Sequence, residues 1–236
     1  SAHIPGAFYV DLDADLSAAE GPGRHPLPPW DVFAERMADL GIGDRSVVVA
    51  YDDRGGGVAA RLWWMLRAIG HKRAYVLDGG ITAWINGGGE VTEELSIHGR
   101  GELSVNLQPD ITVDREALRE RLDSVLAVDA RSADRYRGEN ESIDPVGGHI
   151  PGARNAPYES NLGPDKRFLP ADVLAARYRE LGVGSEQETV FYCGSGVTAC
   201  HDLLAIEHAG LGTAKLYPGS WSDWSTAGFD VATGPG

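Results

Sequence analysis

The sequence predicts an α/β protein made of two tandem domains, each with a mainly parallel sheet flanked by helices. Two observations lead to this prediction. Short β-branched runs alternate with amphipathic helical patterns, and segments of the first half of the chain recur in the second half. The length of 236 residues allows one large domain or two of ordinary size. The repeat therefore decides in favour of two homologous domains.

The repeat consists of matching segments at nearly constant spacing. His3-Ile4-Pro5-Gly6-Ala7 returns letter for letter at residues 149–153, which is 146 residues later. The other matches follow in the same order at offsets of 140 or 141: Leu40-Gly41-Ile42-Gly43 with Leu181-Gly182-Val183-Gly184, Tyr51-Asp52 with Tyr192-Cys193, and Gly79 and Trp84 with Gly219 and Trp224. We predict a first domain at 1–90, a polar linker at 91–109 and a second domain at 110–236.

Strand and helix patterns alternate in both domains. Buried-type strand patterns occur at residues 46–51, 74–77, 125–128, 189–192 and 214–217. Amphipathic helical patterns occur at residues 30–40, 55–69 and 171–181, and each is followed by a glycine suited to end a helix. This order predicts parallel strands joined by helical crossovers.

The first domain lacks one predicted strand. In the second domain the strand at 125–128 precedes His149 by about twenty residues, whereas only Ser1 and Ala2 precede His3. Either the sequence begins within a longer domain or the first domain is incomplete, and we favour the former, because a missing central strand leaves apolar side chains and ladder groups uncovered.

Composition excludes several classes of function. Apolar residues make up 42% and charged residues 24%, and no apolar stretch approaches the roughly 18 residues of a membrane span. A net charge of −14 disfavours nucleic acid and anionic membranes as partners. The two cysteines, Cys193 and Cys200, are seven residues apart on one predicted helix start, beyond disulfide reach. We therefore expect a reducing cytoplasm.

The segment around Cys193 carries the chemical prediction. A buried-type strand leads into Cys193, a turn with Gly194 and Gly196, and then a helix. Backbone N–H groups converge in such a turn and the helix directs its positive end the same way, so the turn stabilises an anion such as a thiolate or persulfide. A small buried cysteine is the alternative, but it has no need of this loop. We expect Cys193 to be a nucleophile and Cys200 to pack in the core.

These features resemble a known family. Cys193-Gly194-Ser195-Gly196-Val197-Thr198 is similar to the active-site loop of sulfurtransferases of the tandem-domain rhodanese family. The repeated His-Ile-Pro-Gly-Ala, Asp78-Gly79-Gly80 and the stretch at 219–224 resemble other elements of that family. The resemblance implies two tandem rhodanese-like domains, of which the first is non-catalytic and carries Asp52 in place of a cysteine.

The resemblance also implies the reaction. Cys193 takes a sulfur from thiosulfate or 3-mercaptopyruvate and passes it to cyanide or to a thiol acceptor. A thioredoxin-like reductant is one such acceptor and is an expected partner. The loop residues Gly194, Gly196, Val197 and Thr198 are the implied surroundings of the donor. No organic cofactor or metal is expected.

An arginine is the expected partner of an anionic donor. Arg135, which precedes Tyr136, is by resemblance the expected substrate contact, and Arg131 and Arg137 are expected to form ion pairs. Mercaptopyruvate-using members have a second arginine shortly before the Gly-His-Ile-Pro-Gly turn, but residues 141–145 contain none. This departure weakens the expectation that 3-mercaptopyruvate is the preferred donor.

A proton relay is a further implication of the resemblance. Asp13 and His25 match an Asp and a His that approach the loop serine from the other domain. Ser195, His25 and Asp13 would then form a relay that moves a proton at the leaving group. The alternative is that His25 lies in a proline-rich turn and Asp13 in an exposed acidic run. His149 belongs to the repeated turn and is expected to be structural.

Two other functions remain as alternatives. Cysteine phosphatases have an arginine six residues after the nucleophile, but Ala199 occupies that position here, which makes phosphatase chemistry unfavourable. A non-catalytic rhodanese-like module for binding or sulfur relay is the second alternative, and the first domain fits it because Asp52 cannot form a persulfide.

Overall fold

The computed structural model describes residues 2–235 of the chain and shows helices and parallel strands in alternation. The helices are α1 Trp30–Asp39, α2 Ala59–Ala68, α3 Gly80–Asn86, α4 Arg115–Glu120, α5 Ala133–Arg137, α6 Ala171–Glu180, α7 Ala199–His208 and α8 Ser220–Trp224, with a 3₁₀ turn at Tyr158–Asn161. The strands are β1 Val48–Ala50, β2 Ala74–Val76, β3 Val125–Asp129, β4 Arg154–Asn155, β5 Glu188–Tyr192 and β6 Lys215–Leu216. None of these helices has the length and apolarity needed to span a membrane.

The strands form two parallel sheets, one in each half of the chain. In the first half β1 pairs with β2. In the second half the order is β4-β3-β5-β6, and every neighbouring pair is parallel. The predicted α/β class with mainly parallel sheets is confirmed. The predicted strands and helices are found within a few residues, although α2 begins at Ala59 instead of residue 55.

The sequence repeat reappears as repeated contacts. The backbone N–H of Ile4 donates to the Tyr51 hydroxyl, and that of Ile150 donates to the Tyr192 hydroxyl, both at 3.1 Å. The imidazole of His149 stacks on a tyrosine ring and its Nδ1 lies 2.8 Å from a backbone carbonyl. The repeated turn thus anchors each domain beside the strand that carries Asp52 or Cys193, and these contacts agree with a structural role for His149.

The sheet of the first half has an unpaired edge. Among the described residues β1 pairs with β2 alone, whereas its counterpart β5 lies between β3 and β6. Val49 and Tyr75, on these two strands, are 49% and 53% exposed. The described part of the first half therefore has no strand in the position that β3 occupies in the second.

The two halves pack together through α2 and α7, the helices that follow the Asp52 and Cys193 loops. One apolar cluster includes side chains of both halves, among them Trp64 and Met65 of α2 and Leu203 and Ile206 of α7. The Cys193 loop is consequently held at the contact between the halves.

A buried polar cluster lies between α7 and the 3₁₀ turn at Tyr158–Asn161. Asn161 Nδ2 donates to Asp202 Oδ1 at 2.7 Å, and Asp202 Oδ2 has no partner among the described residues. Burial raises the pKa of Asp202 to about 7, although Arg177 and Asn161 oppose this shift. The folded protein therefore keeps Asp202 protonated to a much higher pH than an unfolded chain does.

This raised pKa predicts a pH-dependent loss of stability. The folded chain holds the Asp202 proton up to about pH 7, whereas the unfolded chain releases it near 3.8. The stabilisation that comes from protonated Asp202 is fully present below the pKa of Asp202 in the unfolded chain. It is lost as the pH rises through the pKa of Asp202 in the folded protein. We expect Asp202→Asn, which cannot ionise, to gain about 4 °C or more in Tm relative to wild type between pH 5 and pH 8.5.

Calorimetry at the two pH values checks this prediction, with Asp172→Asn on the exposed face of α6 as the control. His201, whose pKa burial lowers to about 4, is present in every variant and cancels in the comparison. An equal Tm difference at both pH values would show that Asp202 is ionised in the folded protein.

Candidate active site

Cys193 lies directly after β5, at the carboxyl end of the sheet, and is 2% exposed. Its backbone N–H donates to Ser220 Oγ at 3.1 Å, and its carbonyl accepts from the N–H of Trp221 at 2.9 Å. Open parallel sheets bind ligands at this edge. The strand and α8 therefore fix the backbone of Cys193 at this edge of the sheet.

The turn after Cys193 presents unpaired backbone donors. Among residues 2–235 no acceptor is found for the backbone N–H groups of residues 194–198. Gly196 has a φ of 75°, and a Cβ there would collide with the carbonyl oxygen of Pro218. Glycine is thus required for the tight turn that brings these donors together.

The equivalent loop of the first half shows what such donors bind. The carboxylate of Asp52 accepts hydrogen bonds from the backbone N–H groups of Arg54, Gly56, Val58 and Ala59, at 2.8 to 2.9 Å. Burial alone would raise the pKa of Asp52, but these four bonds outweigh it and lower the pKa. The loop geometry therefore stabilises an anion, and these bonds also explain why α2 begins later than predicted.

The structure brings Ser195, His25 and Asp13 together from the two halves. His25 Nδ1 lies 2.7 Å from Ser195 Oγ, and His25 Nε2 lies 3.3 Å from Asp13 Oδ1. The Asp13 side chain is 85% exposed, whereas that of His25 is 22% exposed. The geometry permits proton transfer between Ser195 and His25, while solvent screens Asp13.

The His25 imidazole is held neutral. Burial lowers the pKa of His25, the nearby Arg24 and Arg61 add to this effect, and Asp13 opposes it. With Asp13 as an acceptor at Nε2, the proton of the neutral ring lies on Nε2 and Nδ1 accepts from the Ser195 hydroxyl. A neutral ring in this tautomer accepts the hydrogen bond of the Ser195 hydroxyl and so orients it.

Arg61 of α2 is a buried residue that the sequence patterns do not single out. Its side chain is fully buried, Nη1 donates to the Gly196 carbonyl at 2.9 Å, and Nη2 donates to the His25 carbonyl at 3.1 Å. No carboxylate among the described residues pairs with it, and burial lowers its pKa. Arg61 thus links the cysteine turn to the segment that carries His25.

Arg135 and Arg131 belong to one ionic cluster beside the loop. Arg135 donates to both oxygens of Glu141 at 3.0 Å and to Asp144 at 3.0 Å. Arg131 is 3% exposed and pairs with Asp129 at 2.6 Å. A Cβ at the position after Cys193 would lie 3.5 Å from Arg135 Nη1. Arg131 is thus paired inside the protein, and Arg135, although paired with Glu141 and Asp144, also reaches the loop.

Arg24 also reaches the loop, and no sequence pattern indicated it. A Cβ at Gly194 would lie 2.8 Å from Arg24 Nη2, and Arg24 pairs with Asp144. Neighbouring His25 is the only sequence signal that could have directed attention to this position. The remaining predicted loop residues lie as follows: Val197 is buried at 5% exposure and Thr198 is half-buried at the start of α7.

The structure offers no metal centre among residues 2–235, since no three His, Cys, Asp or Glu side chains there converge. Cys200 is fully buried, its thiol donates to the Gly196 carbonyl at 3.4 Å, and burial raises the pKa of Cys200 to about 12. The thiol of Cys200 is therefore held protonated and inside the core.

The family model for the rhodanese-like domain matches residues 1–86 and 114–227 of the chain. A protein named probable 3-mercaptopyruvate sulfurtransferase from Pseudomonas aeruginosa is 44% identical over 231 residues, which cover 95% of this chain and 81% of the relative. Thiosulfate sulfurtransferase from Azotobacter vinelandii is 35% identical, over 94% of this chain and 82% of the relative.

A solved structure is also similar over most of its length. The structure of SseA from Escherichia coli, described as a 3-mercaptopyruvate sulfotransferase, superposes with a TM-score of 0.82 at 33% identity. The match covers 94% of this chain and 84% of SseA. The two matched segments of the family model correspond to the two sheet-containing halves.

Proposed function

Because the chain belongs to the rhodanese-like family and is a sulfurtransferase, we propose that it transfers sulfane sulfur from thiosulfate or 3-mercaptopyruvate through a persulfide on Cys193. The observation that supports this proposal is the position of Cys193 at the end of β5, followed by a turn of unpaired N–H donors whose counterpart in the first half surrounds the Asp52 carboxylate. A persulfide anion needs the same donors.

In the first half-reaction the Cys193 thiolate attacks the outer sulfur of the donor. With thiosulfate, the bond between the two sulfur atoms breaks and its electron pair leaves with sulfite. With 3-mercaptopyruvate, the carbon–sulfur bond breaks and its electron pair leaves with the enolate of pyruvate. Both reactions leave a persulfide on Cys193, which the loop N–H groups stabilise.

In the second half-reaction an acceptor removes the outer sulfur. A thiolate or cyanide attacks it, the sulfur–sulfur bond of the persulfide breaks, and the electron pair returns to the Cys193 thiolate. A small thiol, cyanide or a thioredoxin-like protein in the cytoplasm fits this role, because each supplies the nucleophile. Two half-reactions that share one covalent form give ping-pong kinetics.

Initial-rate kinetics with both donors test the function. We expect thiocyanate formation in the presence of cyanide, parallel double-reciprocal lines, and measurable kcat/KM for at least one of the two donors. Absence of turnover with both donors would favour the alternative of a non-catalytic sulfur-relay or binding module. The ratio of the two kcat/KM values identifies the preferred donor.

The Ser195–His25 contact predicts a difference between donors. The enolate of pyruvate must be protonated, whereas sulfite leaves as a stable anion. Only the enolate therefore needs Ser195, which gives its hydroxyl proton to the enolate and takes the proton that the donor's thiol releases as the persulfide anion forms. We expect Ser195→Ala to lower kcat/KM for 3-mercaptopyruvate about tenfold more than for thiosulfate. Steady-state kinetics with both donors check this result.

His25→Ala is expected to show the same bias, and Asp13→Asn a smaller one, because the exposed Asp13 carboxylate is screened by water. Ser160→Ala, at an exposed serine, is the matched control. Equal losses with the two donors would show that Ser195 shapes the loop without moving a proton, and would return His25 and Asp13 to a structural role.

A further inference from the structure

The segment that carries Arg24 is fixed on the second half by its backbone. The backbone N–H of Arg24 donates to Ser222 Oγ at 3.0 Å. Gly23 has a φ of 79°, and a Cβ there would collide with the carbonyl oxygen of Gly219. The position of Arg24 above the cysteine turn therefore does not depend on contacts of its own side chain, so this side chain can be exchanged without undocking the segment.

The guanidinium groups of Arg24 and Arg135 converge on one point. A Cβ at Gly194 would lie 2.8 Å from Arg24 Nη2 and 3.5 and 3.6 Å from the two terminal nitrogens of Arg135. Gly194 directly follows Cys193, so both cations lie beside the nucleophile. One cation comes from each half of the chain, and both lie against Gly194 of the loop.

A carboxylate already lies between the two guanidinium groups. Asp144 pairs with Arg24 through one oxygen and with Arg135 at 3.0 Å through the other. Its side chain is 2% exposed, and burial raises the pKa of Asp144 although both arginines oppose the shift. The two arginines therefore accept a carboxylate in a bridging geometry, which is also the chemistry of a donor's anionic end.

We propose that Arg24 and Arg135 together bind the anionic group of the sulfur donor and that Asp144 is the counter-charge which this group displaces. This inference rests on the proposed function. Residues 141–145 contain no arginine, so the second arginine that the family resemblance leads us to expect there is missing. The inference assigns its role, contact with the donor's anionic group, to Arg24 from the first half of the chain. The first half thus contributes to donor binding, although Asp52 makes it unable to carry sulfur.

The exposure of each arginine determines how much donor binding is lost when it is replaced. The Arg24 side chain is 33% exposed and that of Arg135 is 19% exposed. Water screens the Arg24 charge more strongly, so its loss costs less binding than the loss of Arg135. A neutral group at position 144 leaves both cations without a competitor, and donor binding becomes tighter.

Alkylation of Cys193 measures the local field without turnover. Iodoacetate carries a carboxylate and iodoacetamide does not, and both alkylate the same thiolate. The rate constants are obtained from the mass of the peptide that contains Cys193. Their ratio reports the attraction of an anion to this site. We expect Arg24→Ala to lower the iodoacetate-to-iodoacetamide ratio about fivefold, the size expected for one partly screened charge contact.

Three further variants define the site. Arg24→Lys keeps the charge and is expected to retain most of the ratio, whereas Asp144→Asn is expected to raise it. Arg100→Ala is the control, because Arg100 also pairs with an aspartate but is 58% exposed in the linker. The KM for thiosulfate is expected to follow the same order, about fivefold higher in Arg24→Ala and lower in Asp144→Asn.

The outcomes separate this inference from the proposed function. If Arg24→Ala leaves the ratio unchanged while the wild-type chain forms a Cys193 persulfide, the anion site is wrong and the function stands. If the ratio responds but no persulfide forms with either donor, the anion site stands and the function is wrong. A fall of the ratio in Asp144→Asn would contradict the role of Asp144 as a competing counter-charge. The Tm of each variant shows that it is folded.

Discussion

Replacing Cys193 by serine is expected to abolish sulfur transfer, with kcat/KM reduced at least about a thousandfold. Without the covalent nucleophile, only donor binding and the N–H groups of the loop remain. A serine hydroxyl is not ionised at neutral pH and forms no persulfide. Incubation of the wild-type chain with donor and without acceptor should add one sulfur mass to the peptide that contains Cys193. Steady-state kinetics measure the first result, and peptide mass spectrometry measures the second.

Cys200→Ser is the matched control for this experiment. Cys200 is the other cysteine of the chain, and it is fully buried with its thiol directed at the Gly196 carbonyl. Burial raises the pKa of Cys200 to about 12, so it supplies no thiolate at neutral pH. The control should therefore retain activity and the sulfur label. A label on Cys200, or activity in Cys193→Ser, would overturn the assignment of the nucleophile.

The strands and helices were predictable because their signals lie in consecutive residues. Parallel strands buried on both faces need continuous β-branched runs, and the helices that cover them end at glycines, so both features are visible in one sequence. The same reasoning found the Cys193 loop, since a strand, two glycines and a helix are local. The late start of α2 was not predictable, because it depends on four N–H groups folding back on Asp52.

The partners of the loop from the other half were less predictable from the residues alone. His25 and Asp13 were found by family resemblance, whereas Arg24 and Arg61 were missed. Arg61 lies within the apolar run of α2, where no pattern of polar residues marks it, and its role depends on carbonyl acceptors in distant loops. Arg24 is one of many arginines in the sequence. Contacts between segments more than 100 residues apart leave no local pattern.

Arg135→Ala is expected to lower kcat/KM about 10- to 150-fold, because a charge-assisted contact to a partly buried anion contributes about 1.5 to 3 kcal/mol and each 1.36 kcal/mol is a factor of ten. Arg135 lies on α5, directly after the carboxyl end of β3, and its side chain is 19% exposed. Its two terminal nitrogens lie within 3.6 Å of a Cβ position at Gly194, beside the nucleophile. Steady-state kinetics with thiosulfate and with 3-mercaptopyruvate measure the loss.

The fold should survive this substitution, because the carboxylates that Arg135 contacts keep other partners. Glu141 retains Arg131 at 3.3 Å, and Asp144 retains Arg24. Arg137→Ala on the same helix is the matched control, since Arg137 pairs with Glu139 and is 34% exposed. Arg135→Lys should lose part of the activity, because an ammonium keeps the charge but not the two-pronged geometry. If Arg135→Ala and Arg137→Ala have the same kcat/KM, Arg135 is an ion-pair residue that organises Glu141 and Asp144, and the donor anion is bound elsewhere.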